Sequence, residues 1–83
     1  MEIKDLVQKT EDYIRSNISE HNRSLATMLL EELKKIEKDD SYIVPADAMR
    51  SLIDSFDYSS DYWKKYFSVY WNENLDKFQN PYE

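Results

Sequence analysis

The sequence predicts an all-α fold, a compact bundle of about four helices, and three observations support this prediction. The chain of 83 residues contains no glycine, the residue that supplies the positive backbone angles of tight hairpin turns. Hydrophobic residues recur at helical spacing along most of the chain. Short polar stretches separate these periodic segments. Because a chain this short supports only one core, residues 1–83 are expected to form a single domain.

The first two helices are predicted over residues 3–17 and 20–38. Helical spacing in the first segment brings together Ile3, Leu6, Val7, Tyr13 and Ile14. The polar stretch SNISEHN then interrupts the pattern, and Asn17 or Ser19 is the candidate N-cap of the second helix. The second segment places on one face Leu25, Ala26, Leu29, Leu33 and Ile36.

The third and fourth helices are predicted over residues 45–56 and 60–78. Val44 precedes Pro45 and therefore favours extended backbone, whereas Pro45 suits the first turn of a helix. After the stretch DYSSD, the fourth segment carries an aromatic stripe that consists of Trp63, Phe67, Tyr70, Trp71 and Phe78. We expect this stripe to face the core, because each buried ring removes roughly 150–250 Å² from water.

Charge and hydropathy argue against two classes of partner. The net charge is −6, with 17 acidic against 11 basic residues, which is opposite to what nucleic acids and anionic membranes attract. The amino-terminal stretch MEIKDLVQKTEDYIR is charged from its second residue, unlike a signal peptide, and no apolar run approaches the length of a membrane span. We therefore predict a cytoplasmic protein that binds neither nucleic acid nor membrane.

The residue types needed for most enzymatic and cofactor chemistry are missing. There is no cysteine, and His21 is the single histidine, so neither a disulfide nor a zinc site is expected. Without glycine, the phosphate-binding loops of nucleotide-binding proteins and the nucleophile elbow of hydrolases cannot form. The sequence predicts a protein that is not an enzyme and needs no cofactor.

An acidic segment precedes and enters the aromatic helix. Residues 39–62 contain six aspartates opposed by one arginine, a net charge of −5 and nearly that of the whole chain. Carboxylates and phenols alternate at its carboxyl-terminal end, in the order Asp54, Asp57, Tyr58, Asp61 and Tyr62. Such a patch would complement a basic cleft, because charge steers the encounter and aromatic rings hold the complex.

A second flank of the fourth helix extends this predicted site. Tyr62, Tyr66, Val69 and Glu73 project away from the aromatic stripe when the helix is drawn at 100° per residue. Tyrosine is common in interfaces, since it offers a large rigid contact area and tolerates water. The alternative is that the first helix or the carboxyl-terminal tail covers this flank. The predicted partner-binding residues are thus Asp54, Asp57, Tyr58, Asp61, Tyr62, Tyr66, Val69 and Glu73.

These features favour a binding protein, and three hypotheses follow. The first is an inhibitor that masks a basic site on another protein, as bacterial immunity proteins do when they neutralise nuclease toxins. The second is a phage-encoded antagonist of a host defence or replication enzyme, whose carboxylates imitate DNA phosphates. The third is a helical adaptor or homo-oligomeric subunit, so either a monomer or a homodimer is expected. The abundance of Asn, Ile, Lys, Tyr and Asp indicates an AT-rich bacterial or phage genome.

Overall fold

Four α-helices and one pair of very short strands make up the described chain, residues 1–57 and 61–79 of a computed structural model, without the side chain of Tyr62. The helices are α1 (Ile3–Arg15), α2 (Glu20–Lys38), α3 (Ala46–Asp54) and α4 (Asp61–Glu73). Strands β1 (Val44–Pro45) and β2 (Phe78–Gln79) pair in parallel, with Val44 opposite Phe78. The prediction of an all-α bundle is confirmed, and the strand pair is an addition to it.

The link between α1 and α2 is fixed by side chains that bind backbone groups. The Ser16 hydroxyl donates to the Tyr13 carbonyl at 2.5 Å, and α1 ends at Arg15 rather than at residue 17 as predicted. This is expected when a serine competes for a backbone acceptor. Arg23 donates from Nε to the carbonyl of Ile14 at 3.1 Å and from Nη2 to that of Ser16 at 3.2 Å. These bonds satisfy carbonyls that the helix end leaves without partners.

The start of α2 and the bounds of α3 follow from local backbone preferences. Ser19 is the N-cap of α2, and its hydroxyl accepts from the backbone nitrogen of Asn22 at 3.1 Å. Pro45 has extended backbone angles and precedes α3 instead of occupying its first turn. Because α3 begins at Ala46 and ends at Asp54, it is shorter at both ends than the predicted segment 45–56.

The predicted end of the fourth helix is wrong, since α4 ends at Glu73 and not at residue 78. The Asn74 side-chain amide donates to the carbonyl of Tyr70 at 2.9 Å, taking an acceptor that a longer helix needs. A 3₁₀ turn over Leu75–Lys77 follows. This turn brings Phe78 back onto Trp71, with the two rings stacked at 4.2 Å.

The core is continuous across all four helices. It is formed by side chains that are at most 9% exposed, principally Leu6, Ala26, Leu29, Leu33, Ile36, Val44, Met49, Phe56, Trp63, Phe67, Tyr70 and Phe78. Inside it, Trp63 Nε1 donates to Thr10 Oγ1 at 2.9 Å, a hydrogen bond that joins α4 to α1. Leu75 remains 60% exposed because the 3₁₀ turn directs it outward.

Two classes of feature are missing from residues 1–57 and 61–79. No group of three or more histidine, aspartate or glutamate side chains there is arranged to hold a metal ion. None of the four helices is both long and hydrophobic enough to traverse a lipid bilayer, judged over the same residues.

Candidate partner-binding surface

A groove of about 180 Å³ lies between α3 and α4. Its base is apolar, since Phe67 is buried and Ile53 and Trp71 are half-buried. Its rim is exposed and polar, and consists of Arg50, Asp54, Ser68 and Asn72. We refer to these seven residues as the α3/α4 groove.

The two charged groups of this rim are not paired with each other. The Arg50 guanidinium carbon lies 5.6 Å from the centroid of the Trp71 ring, a distance typical of a cation–π contact. Within the described ranges, neither Arg50 nor Asp54 forms an ion pair. The rim therefore presents one cationic donor and one anionic acceptor to solvent.

A second cavity, of about 380 Å³, is lined among the described residues by Phe56, Asp57, Asp61 and Lys64. We call it the acidic cavity, since this described lining contains two carboxylates and one ammonium group. The Lys64 ammonium lies 5.8 Å from the centroid of the Phe56 ring. On α4, Lys64 and Asp61 of this cavity precede Ser68 of the groove by four and seven residues, or about 6–11 Å along the helix axis.

Asp57 is held in place by contacts with the start of α2. Its backbone nitrogen donates to Asn22 Oδ1 at 3.0 Å, and Ser19 Oγ donates to its carboxylate at 3.4 Å. Asn22 is fully buried, so the first of these bonds also satisfies a core polar group. The position of the Asp57 carboxylate is therefore determined by α2 as well as by its own segment.

The opposite flank of α4 faces α1 and solvent. The Lys9 ammonium lies 4.1 Å from the centroid of the Tyr66 ring, which is half-buried against the core. Val69 is 41% exposed, and the Glu73 carboxylate accepts from the amino group of Met1 at 2.5 Å. Part of the flank that we predicted to be a binding surface is thus covered by α1.

The structure divides the predicted site residues between two faces of α4. Asp54, Asp57 and Asp61 lie together on the α3 side, along the groove and the acidic cavity. Tyr66, Val69 and Glu73 lie on the other flank, because Lys64 and Tyr66 project about 160° apart on an α-helix. Tyr58 and the side chain of Tyr62 fall outside the described residues.

No family model, curated protein or solved structure matches this chain. The functional interpretation of the candidate surface therefore depends on the geometry and charge of this chain.

Sequence reasoning missed Ile53, Arg50 and Trp71 as surface residues. Trp71 is at the edge of the aromatic stripe, about 40° from Phe67 on the helix wheel and on the side that α3 approaches. A residue at the edge of a stripe is buried or open according to how closely the neighbouring helix packs. Tryptophan and arginine are enriched among interface hot spots, and this is the signal that could have identified Trp71 and Arg50 from the sequence.

The core behind the acidic cavity contains a phenol with a shifted pKa. Burial raises the pKa of Tyr13 above its ordinary value of 10.0, the charge of Asp57 raises it further, and Asn22 opposes the shift. The Tyr13 hydroxyl is buried and makes no hydrogen bond of normal geometry with the described residues. The Tyr13 ring stacks on the Trp63 ring, with their centroids 5.4 Å apart, and therefore packs against the core from the α1 side.

Proposed function

We propose that this chain is a small acidic inhibitor that binds another protein and masks a basic site on it. The observation that supports the proposal is the joint position of Asp54, Asp57 and Asp61 beside the apolar base of the α3/α4 groove. Charged groups at a rim steer a basic partner and set its orientation, whereas apolar contacts in the centre slow dissociation. Both elements are present on the same side of α4.

The size of the groove favours a protein partner over a small molecule. Sites for drug-sized ligands and cofactors typically enclose about 300–1,000 Å³. The groove offers about 180 Å³, which is enough for one side chain. We propose a binding role without catalysis or cofactor, in which the groove takes a side chain of a protein partner.

Within this class we favour an immunity protein that neutralises a nuclease toxin in the cytoplasm of a bacterium. A nuclease binds DNA through lysine and arginine, so its active cleft is the kind of basic site that this surface complements. A phage-encoded DNA mimic is the alternative, and it would need carboxylates spread along an extended surface without cations between them. Here Arg50 and Lys64 stand among the three aspartates, which favours the first interpretation.

A homo-oligomeric adaptor is a second candidate, favoured by the exposure of Val69 on the face opposite the groove. Sedimentation velocity at low and high salt separates the two functions. A dimer that persists in high salt and that Val69→Lys dissociates would support the adaptor. A monomer under all conditions would exclude it.

The inhibitor proposal is tested by removing charge without changing shape. The triple variant Asp54→Asn, Asp57→Asn, Asp61→Asn should weaken partner binding at least tenfold, mainly because association becomes slower. Its affinity should also depend less on salt concentration. A matched control neutralises three exposed carboxylates that line neither cavity, by Asp5→Asn, Glu37→Gln and Asp76→Asn.

Partners captured from a host lysate by the unchanged protein are identified by mass spectrometry, purified, and measured by surface plasmon resonance against both variants. Equal affinity for the two variants would refute the proposal. Circular dichroism melts verify that both variants remain folded, so that a loss of binding reports on the surface.

A further inference from the structure

The α3/α4 groove has the dimensions and lining of a receptor for a single apolar side chain. Its volume of about 180 Å³ equals roughly six water molecules. Its base consists of an aliphatic side chain and two aromatic rings, Ile53, Phe67 and Trp71. Burying one large apolar residue there would release this water and cover the side chains of Trp71 and Ile53, which the free protein leaves half-buried.

The rim of the groove matches the backbone that would carry such a side chain. Arg50 offers hydrogen-bond donors, Asp54 offers acceptors, and Ser68 and Asn72 offer both. A peptide backbone has one N–H donor and one C=O acceptor per residue, and both must be satisfied when an interface covers them. Arg50 and Asp54 form no ion pair with the described residues, so their hydrogen-bonding groups are available for this purpose.

The acidic cavity specifies what should lie next to the apolar residue. Its residues on α4, Asp61 and Lys64, precede Ser68 of the groove by about one to two turns, or about 6–11 Å along the axis. That distance corresponds to residues two to three apart in an extended segment, or four or more apart in a helix. Among the described residues, the lining there contains two carboxylates, Asp57 and Asp61, and one ammonium group, Lys64, so a positively charged neighbour is favoured.

We propose that the α3/α4 groove binds one large apolar side chain of the partner, and that a lysine or arginine two to four residues away in the same partner segment enters the acidic cavity. This inference rests on the proposed inhibitory function and states which feature of the basic partner is recognised. It moves the principal contact from the predicted tyrosines to Trp71, Phe67 and Ile53.

Charge argues against a second copy of this chain as the occupant. A two-fold symmetric contact brings the same patch of both chains together. Three carboxylates and two cationic groups of each copy would then meet across the interface, so two patches of net charge −1 would face each other in a chain whose net charge is already −6. Like charges brought together in this way oppose association.

The test uses three synthetic pentapeptides and an isotope-labelled protein. Acetyl-Lys-Ala-Phe-Ala-Lys-amide carries both proposed features, the second peptide replaces phenylalanine with serine, and the third replaces both lysines with glutamate. Each peptide is titrated into the ¹⁵N-labelled protein, and the Trp71 indole and the Ser68 and Asn72 amide signals are followed by NMR. Dissociation constants near the millimolar range are the scale for ligands of this size.

Two substitutions that fill the groove provide the matched comparison. Ser68→Phe places a ring in the groove at an exposed helical serine, whereas Ser24→Phe adds the same ring at an exposed serine of α2 that lines neither cavity. Asn72→Phe repeats the filling from a second position. We expect Ser68→Phe and Asn72→Phe to weaken binding of the first peptide at least tenfold and Ser24→Phe to leave it unchanged.

The outcomes separate this inference from the proposed function. Binding of the serine peptide as tightly as the phenylalanine peptide would overturn the groove inference and leave a purely electrostatic inhibitor standing. Binding of the glutamate peptide as tightly as the lysine peptide would overturn the basic neighbour and with it the proposed function. Shifts that spare Trp71, or unchanged binding by both groove-filling variants, would also overturn the inference.

Discussion

Replacing Thr10 with valine tests the polar contact that joins α1 to α4 inside the core. The Thr10 hydroxyl is fully buried, donates to the Leu6 carbonyl at 2.7 Å and accepts from Trp63 Nε1 at 2.9 Å. Valine has nearly the same shape and removes both bonds. The indole N–H of Trp63, whose side chain is 2% exposed, would then be buried without an acceptor.

An unsatisfied buried donor costs about 1–3 kcal/mol, and this sets the expected loss for Thr10→Val. In a domain of this size each kcal/mol corresponds to about 4–8 °C in the melting temperature. The variant should therefore melt about 4–24 °C lower. Thr10→Ser keeps the hydroxyl and should recover part of the loss.

Thr27 provides a matched control, because its hydroxyl makes the same bond to the carbonyl four residues earlier, at 2.8 Å, but on an exposed face. Thr27→Val should change the free energy of unfolding by no more than about 0.5 kcal/mol. Urea unfolding followed by far-ultraviolet circular dichroism measures both variants. If Thr10→Val and Thr27→Val unfold at the same urea concentration, the buried indole bond does not stabilise the fold and the reasoning is refuted.

Two further predictions concern the α2 cap and the alkaline limit of stability. Ser19→Ala removes the side-chain acceptor of the Asn22 backbone nitrogen and should lower the free energy of unfolding by about 0.5–2 kcal/mol; an unchanged urea midpoint would contradict this. Burial raises the pKa of Tyr13 and Tyr70 above 10.0, so above pH 10 the unfolded chain loses protons that the folded chain retains. The resulting stability is complete below pH 10 and is lost as pH rises through the folded pKa values. Urea unfolding between pH 8 and 11.5 should show this decline, and the double variant Tyr13→Phe, Tyr70→Phe should flatten it; parallel curves would count against the burial of these phenols.

The parts of the fold that depend on nearby residues could be predicted from the sequence. The hydrophobic spacing indicates each of the four helices, and the start of α2 follows from a serine that caps its own helix. The aromatic stripe indicates the core positions of Trp63, Phe67 and Tyr70. These features depend on residues within a few positions along the chain.

The remaining features depend on contacts between distant segments. The chain after α4 turns back so that Phe78 pairs with Val44, which is 34 positions earlier in the chain. The position of α3 decides that one flank of α4 holds an open groove, while α1 decides that Tyr66 on the other flank is partly covered. Helical periodicity shows which face of a helix each residue is on, but it does not show which neighbouring element packs against that face. The candidate site was therefore predictable in its aspartates and not in its apolar base.

The segments at both ends of α3 are bonded to other parts of the fold, and this bears on the free-energy cost and the kinetics of the proposed binding. At one end, β1 is paired with β2, and at the other, the backbone of Asp57 is bonded to the buried Asn22. The walls of the groove are thus already at a defined separation before any partner arrives. A partner that binds there as proposed would lose little free energy to ordering this surface, since pre-organisation removes that part of the cost of association. Differences in affinity between such partners would then be expected chiefly in the dissociation rate.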